Sequence, residues 1–178
     1  HTRYISVTGV QTCALPICAA VTVEFESVPA ESLRRLQPDC ITAPGADAIA
    51  VLQDRILEKR FLRNIGLQVA PYQVINTAAD LQAPDCYPGI LKLSRQGYDG
   101  KGQAHVNDIE QALAAWVDFG ERPCVLEKKL NLECELSVVI ARSADGETRH
   151  FPIAENLHTR GILEMSVVPA KIRTTQAT

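Results

Sequence analysis

The sequence predicts a mixed α+β fold in which short strands and amphipathic helices follow one another irregularly. Three observations carry this. Apolar residues recur at helical spacing over residues 47–65, short apolar runs stand at 72–74, 89–93 and 124–127, and Asp145-Gly146 lies between two strand-like stretches as a hairpin signal. Strands with interspersed helices and a hairpin suit an α+β domain better than a regular doubly wound sheet.

Taken in order, residues 21–25 are apolar and β-branched enough for a strand, and 29–36 suit a short helix before the connection marked by Pro38 and Pro44. A boundary near residue 45 follows. The helix expected over 47–65 has its stripe at Ile49, Leu52, Ile56, Leu57, Phe61 and Ile65, with Asp47 as N-cap and Gly66 as its stop. Residues 72–74 and 89–93 read as strands, 108–118 as a second amphipathic helix, and 124–127 as a strand entering a polar connection. Residues 136–142 and 148–152 are expected to pair around Asp145-Gly146, and 162–168 to form a further strand.

Composition narrows the function classes. A net charge of −3 with 46% hydrophobic and 22% charged residues describes a globular chain without the polybasic surface that nucleic acid or anionic lipid requires. No apolar run reaches the roughly 18 residues of a membrane span, so no membrane partner is expected. Cys40, Cys86, Cys124 and Cys134 show no C-x-x-C spacing and do not make a metal site; they read as small hydrophobes in a reducing cytoplasm.

The first 18 residues stand apart. Val7-Thr8-Gly9-Val10-Gln11-Thr12-Cys13-Ala14-Leu15-Pro16-Ile17 can be back-translated into a common short-read sequencing adapter, and His1-Thr2-Arg3 fits the same adapter upstream. Residues 1–18 are therefore expected to be translated library DNA. The competing reading, a signal peptide, fails because Thr8, Gly9, Gln11 and Thr12 interrupt its apolar run.

The segment Gly97-Tyr98-Asp99-Gly100-Lys101-Gly102-Gln103 follows the strand at 89–93. Three glycines in six positions let the backbone pass close to a ligand and turn amide N–H groups toward phosphate oxygens, while Lys92 and Lys101 add positive charge. An ordinary solvated hairpin reads the same way. Lys92 ends an apolar strand where an unpaired ammonium is costly to bury, so a phosphate is a reasonable partner. Arg55 reads equally as a solvated helix residue paired with Asp54 or Glu58, Glu135 as a strand-edge charge, and His158 alone as structural. A P-loop is disfavoured, since Gly97-x-x-Gly100-Lys101 is too short and Gly102 stands where that motif needs Ser or Thr.

Asp54-Arg55 with Glu58-Lys59, Gly89-Ile90-Leu91-Lys92, the glycine loop, Val125-Leu126-Glu127, Glu133-Cys134-Glu135-Leu136-Ser137-Val138 and Glu155-Asn156-Leu157-His158 with Gly161-Ile162-Leu163 occur in that order. Together they resemble the PurK family of ATP-grasp enzymes, the 5-(carboxyamino)imidazole ribonucleotide synthases, from about residue 21 to 170. The resemblance implies an ATP-grasp fold of two α+β lobes, incomplete at both ends. It divides the chain into the adapter-derived 1–18, a remnant of an N-terminal nucleotide-fold domain at 19–45, and an ATP-grasp domain at 46–178.

The resemblance also implies roles. Arg55 would contact ATP, Lys92 its phosphates, and Gly97, Gly100, Gly102 and Gln103 would belong to a loop covering them. Tyr98, Asp99 and Lys101 would meet the second substrate, aminoimidazole ribonucleotide; Lys101 stands where many relatives carry Arg and lacks its bidentate geometry. Glu127, Lys128, Lys129 and Leu130 would form the connection that reads adenine partly through main-chain groups, Glu135 would accept from ribose hydroxyls, and His158 would line the nucleotide site. The implied reaction is ATP-dependent carboxylation by bicarbonate through carboxyphosphate, with Mg²⁺, by a cytoplasmic homodimer. The metal ligands and the ribonucleotide-phosphate site are expected beyond Thr178, and the 178-residue chain is expected to be inactive. Another ATP-grasp ligase, or a non-catalytic ATP-binding module, remains the alternative.

Overall fold

The structure is a computed structural model and describes residues 18–25, 27–97, 101–159 and 161–172. The adapter reading therefore lies outside the described residues except at Cys18, as do the loop residues Tyr98, Asp99 and Gly100. The described residues form two compact units, one within residues 1–97 and 102–128, the other within 98–101 and 129–178. No described helix is long and apolar enough to cross a membrane.

In the first unit, β1 (Ala20–Val21) pairs in parallel with β2 (Ile41–Thr42), so the strand expected over 21–25 is shorter. Helix α1 (Ala30–Leu36) carries Glu31 in its first turn and Arg34 and Arg35 in its last, the charge order its dipole favours. Its Ala30 and Leu33 pack on Ala46 and Ile49 of α2 (Ala46–Leu52).

The single helix expected over 47–65 is two. Helix α2 stops at Leu52, and α3 (Arg55–Asn64) restarts after Asp54, whose extended backbone and carboxylate, accepting from Ile56 N and Leu57 N, make it the N-cap. An aspartate that can satisfy free amides at a helix start competes with its own place inside a helix. Asp47 is not a cap; it accepts from Arg34 at 2.9 Å, and Gly45 holds the N-cap position. Nor is the α3 stripe buried: Leu57, Phe61 and Ile65 are exposed, whereas Lys59 reaches Glu127 of the central sheet.

That sheet contains β3 (Tyr72–Ile75), β4 (Gly89–Leu93), β5 (Gln103–Val106) and β6 (Cys124–Lys128), antiparallel in the order β3-β6-β4-β5. Alternation sends Ile75, Leu91, Leu93, Cys124 and Leu126 to one face, where they join Leu81, Cys86 and Trp116 in the core. Helix α4 (Ile109–Asp118), capped by Asp108, supplies Trp116, whose indole N–H donates to Arg122 O at 2.9 Å. Burial pushes the Cys124 thiol up to about 11. Gly89 is a close backbone approach, because a Cβ there would lie 2.3 Å from Cys86 O and 2.7 Å from Glu127 O.

The second unit contains β7 (Glu135–Ser137), β8 (Ile140–Arg142), β9 (Thr148–His150), β10 (Ala154–Thr159) and β11 (Ile162–Val167). The strand expected over 136–142 is split: β7 joins β10 in the antiparallel sheet β11-β10-β7, and β8 pairs with β9. The Asp-Gly pair does not form a two-residue turn. The last ladder pair is Arg142 with Thr148, and Ser143 closes a longer loop by donating N–H to Glu147 O at 2.9 Å.

Candidate functional site

The face of the central sheet opposite its core carries charge. On that face β4 carries Ile90 and Lys92 and β6 carries Val125 and Glu127, and the register pairs Lys92 with Val125 and Ile90 with Glu127, which makes Lys92 and Glu127 diagonal neighbours. Lys92 Nζ lies 3.2 Å from Glu127 Oε2, and Lys59 Nζ of α3 lies 3.2 Å from Oε1. One carboxylate thus bridges two ammonium groups. The Lys92 ammonium, for which the sequence offered a phosphate as partner, is also paired within the protein, by Glu127. Lys59 Nζ also sits 5.4 Å from the Tyr72 ring centroid, and Arg63 5.5 Å from it.

Arg55 starts the same helix. It pairs with neither Asp54 nor Glu58; its guanidinium donates to Leu93 O at 2.9 Å and to Gly97 O at 3.2 Å, while its N–H donates to Ser94 O at 2.9 Å. Asp54 accepts from the buried Ser94 hydroxyl at 2.6 Å. The residues entering the glycine loop are therefore fastened to the start of α3. The loop is the connection of the β4–β5 hairpin: Lys92 pairs with Gln103, and Leu93 N donates to Gly102 O at 2.8 Å. Gly102 has φ +70, a left-handed conformation that favours glycine, and a Cβ there would lie 2.8 Å from Leu93 Cδ1, so the Leu93 side chain would have to shift. Gln96 also has a left-handed backbone, at φ 65. Lys101 is exposed.

Strand β6 ends at Lys128, whose N–H donates to Pro71 O at 2.9 Å, and Lys129 and Leu130 beyond it are exposed. Within the second unit, Glu135, Asn156, His158 and Ser166 share a sheet face, since Asn156 lies opposite both Glu135 and Ser166 and two residues from His158. His158 Nδ1 is 2.6 Å from Glu135 Oε2, and Ser166 Oγ donates to Asn156 Oδ1 at 2.8 Å. Leu136, Leu157, Met165 and Val167 take the alternate positions. Asn156 and Ser166 had no individual role in the sequence reading; period-two counting from His158 along 155–158 was the available signal for Asn156. Lys59 was likewise missed, and its signal is the spacing Arg55-x-x-x-Lys59-x-x-x-Arg63 along one helix face.

A family model for the ATP-grasp domain matches residues 60–178. The chain belongs to the ATP-grasp family. Among curated ATP-grasp relatives it is 37% identical over 158 residues to an N5-carboxyaminoimidazole ribonucleotide synthase of Bacillus subtilis, covering 85% of this chain and 41% of that protein. It is 37% identical over 150 residues to the synthase of Pseudomonas aeruginosa, covering 83% and 42%. The chain thus spans less than half the length of these relatives. Among solved structures, an ADP complex of PurK superposes with a TM-score of 0.87 at 34% identity over 96% of this chain and 46% of that one. An Aspergillus clavatus enzyme in complex with ADP and 5-aminoimidazole ribonucleotide gives 0.80 at 26% identity, over 93% and 44%. The family resemblance read from the motifs agrees with these matches.

Proposed function

We propose that this chain supplies nucleotide- and acceptor-facing residues for ATP-dependent carboxylation of 5-aminoimidazole ribonucleotide by bicarbonate, giving 5-(carboxyamino)imidazole ribonucleotide in purine synthesis. The observation that carries the reading is the placement of Lys92 immediately before the loop entry Leu93–Gly97, with Arg55 holding that entry and Gly102 closing it. A cation beside a left-handed glycine backbone suits the phosphates of a nucleotide. The names of the relatives, and the ADP and aminoimidazole ribonucleotide complexes among similar structures, support the substrate choice.

In this reading Lys92 offsets phosphate charge, the glycine loop excludes water from carboxyphosphate, and Tyr98, Asp99 and Lys101 meet the acceptor. Main-chain groups of 127–130 read adenine. Glu135 accepts from ribose hydroxyls while His158 holds one of its oxygens, an arrangement a carboxylate's several acceptor sites allow. Magnesium supplies charge neutralisation on the transferring phosphoryl group when bound. Among the described residues no group of three or more His, Cys, Asp or Glu is placed to hold a metal ion, so no residue here is assigned to it. A cytoplasmic homodimer belongs to the same proposal.

Calorimetric titration with ADP, then with 5-aminoimidazole ribonucleotide in its presence, tests the reading. Saturable binding of both supports it. ADP binding with no response to the ribonucleotide favours a nucleotide-binding module or a ligase with another acceptor, and absence of ADP binding removes the reading altogether.

A further inference from the structure

The cluster of Lys59, Glu127 and Lys92 poses a problem of charge balance. If Glu127 had Lys92 as its single partner, the pair would be neutral and would offer little to an anionic ligand. Lys59 changes the sum: two ammonium groups on one carboxylate leave a net charge of +1, each nitrogen 3.2 Å from a different oxygen. The side chains of Lys59 and Glu127 are 13% and 12% exposed, whereas that of Lys92 is 24% exposed. The more open end of the cluster is therefore the ammonium beside the loop. Lys59 Nζ also lies over the Tyr72 ring.

We infer that Lys59 is a positioning residue that keeps the phosphate site cationic by occupying one oxygen of Glu127, and so leaves Lys92 able to attract a nucleoside di- or triphosphate. The inference rests on the nucleotide reading above and deepens it. Lys59 acts through Glu127 and touches no ligand. Charge counting then orders the variants: the cluster carries +1 in the wild type, 0 in Lys59→Met, +2 in Glu127→Gln, and +1 again when both changes are made.

The test is the dissociation constant for ADP and for adenosine, which lacks phosphate, with folding of each variant checked by circular dichroism. Lys59→Met is expected to weaken ADP binding about tenfold, equivalent to about 1.4 kcal/mol, and to leave adenosine binding unchanged. Lys59→Arg should restore ADP binding to within about threefold, and Glu127→Gln, which keeps the main-chain groups assigned to adenine, should bind ADP more tightly than wild type. The double variant should recover most of the loss, which a merely structural role for Lys59 would not produce. Wild-type ADP affinity in Lys59→Met, equal weakening for adenosine, or a double variant weaker than Lys59→Met overturns the inference while leaving the nucleotide reading standing. A wild-type chain that does not bind ADP overturns both. If Lys59→Met does not fold, Glu127→Gln and the double variant decide, and ADP binding weakened about tenfold in Glu127→Gln rejects the charge argument.

Discussion

His158 Nδ1 lies 2.6 Å from Glu135 Oε2 across the sheet formed by β10 and β7. The two residues are 23 apart in sequence, and antiparallel pairing of Asn156 with Glu135 brings them onto one face. The histidine restricts the carboxylate's orientation and leaves it further acceptor sites, including those of the other oxygen.

If Glu135 reads ribose hydroxyls, its loss must be felt by ligands that have them and not by one that lacks them. Glu135→Gln is expected to weaken ADP binding about tenfold, because an amide replaces a charge-assisted acceptor with a weaker one. Affinity for 2′,3′-dideoxy-ADP should be the same in wild type and variant. Competition titrations with both nucleotides check this, and equal weakening for the two would assign Glu135 a structural role instead.

The entry to the glycine loop depends on Asp54, which caps α3 and accepts from Ser94. Asp54→Ala removes the cap and strands a hydroxyl in a residue only 3% exposed. The expected loss is about 2 kcal/mol, the sum of a typical cap and an unsatisfied buried group. Adding Ser94→Ala should recover part of it, since removing both partners of a hydrogen bond costs less than removing one. Urea unfolding of the three variants measures this; a double variant less stable than Asp54→Ala would show that Ser94 does not depend on Asp54.

The break between α2 and α3 at Gln53-Asp54 leaves no mark in the apolar periodicity of the sequence. Strands at 72–75, 89–93 and 124–128 were legible because short apolar runs stand out between polar connections, and α4 because Asp108 precedes a clean helical stripe. The break before Arg55 was not, because Leu52 and Ile56 are four apart and keep helical period across it. Periodicity cannot see a cap, and the cap expected at Asp47 is found at Asp54. Strand β5 was hidden because Gln103-Ala104-His105-Val106 offers little apolar signal of its own. Lys92 could be singled out as a buried-strand cation, but its partner Glu127 and Lys59, which shares that carboxylate, lie 35 and 33 residues away, a relation set by strand register and helix packing.

Acid sensitivity should have an identifiable contribution at Asp80. Its carboxylate accepts from Asn76 N at 2.9 Å, Thr77 N at 2.8 Å and Thr77 Oγ1 at 3.0 Å, and the first two amides above all hold it below the usual aspartate range. Because the folded state favours the ionised form, the stabilisation is fully present above the unfolded-state value and is lost as pH falls through the lower folded-state value. Asp80→Asn should therefore be less stable than wild type at pH 7, with the gap narrowing as the pH is lowered below about 4. Urea midpoints of the two proteins across that range decide the matter. A gap that stays constant with pH would mean that Asp80→Asn costs stability by disturbing the hydrogen-bond geometry of the Thr77–Asp80 capping box, and not through the charge of Asp80.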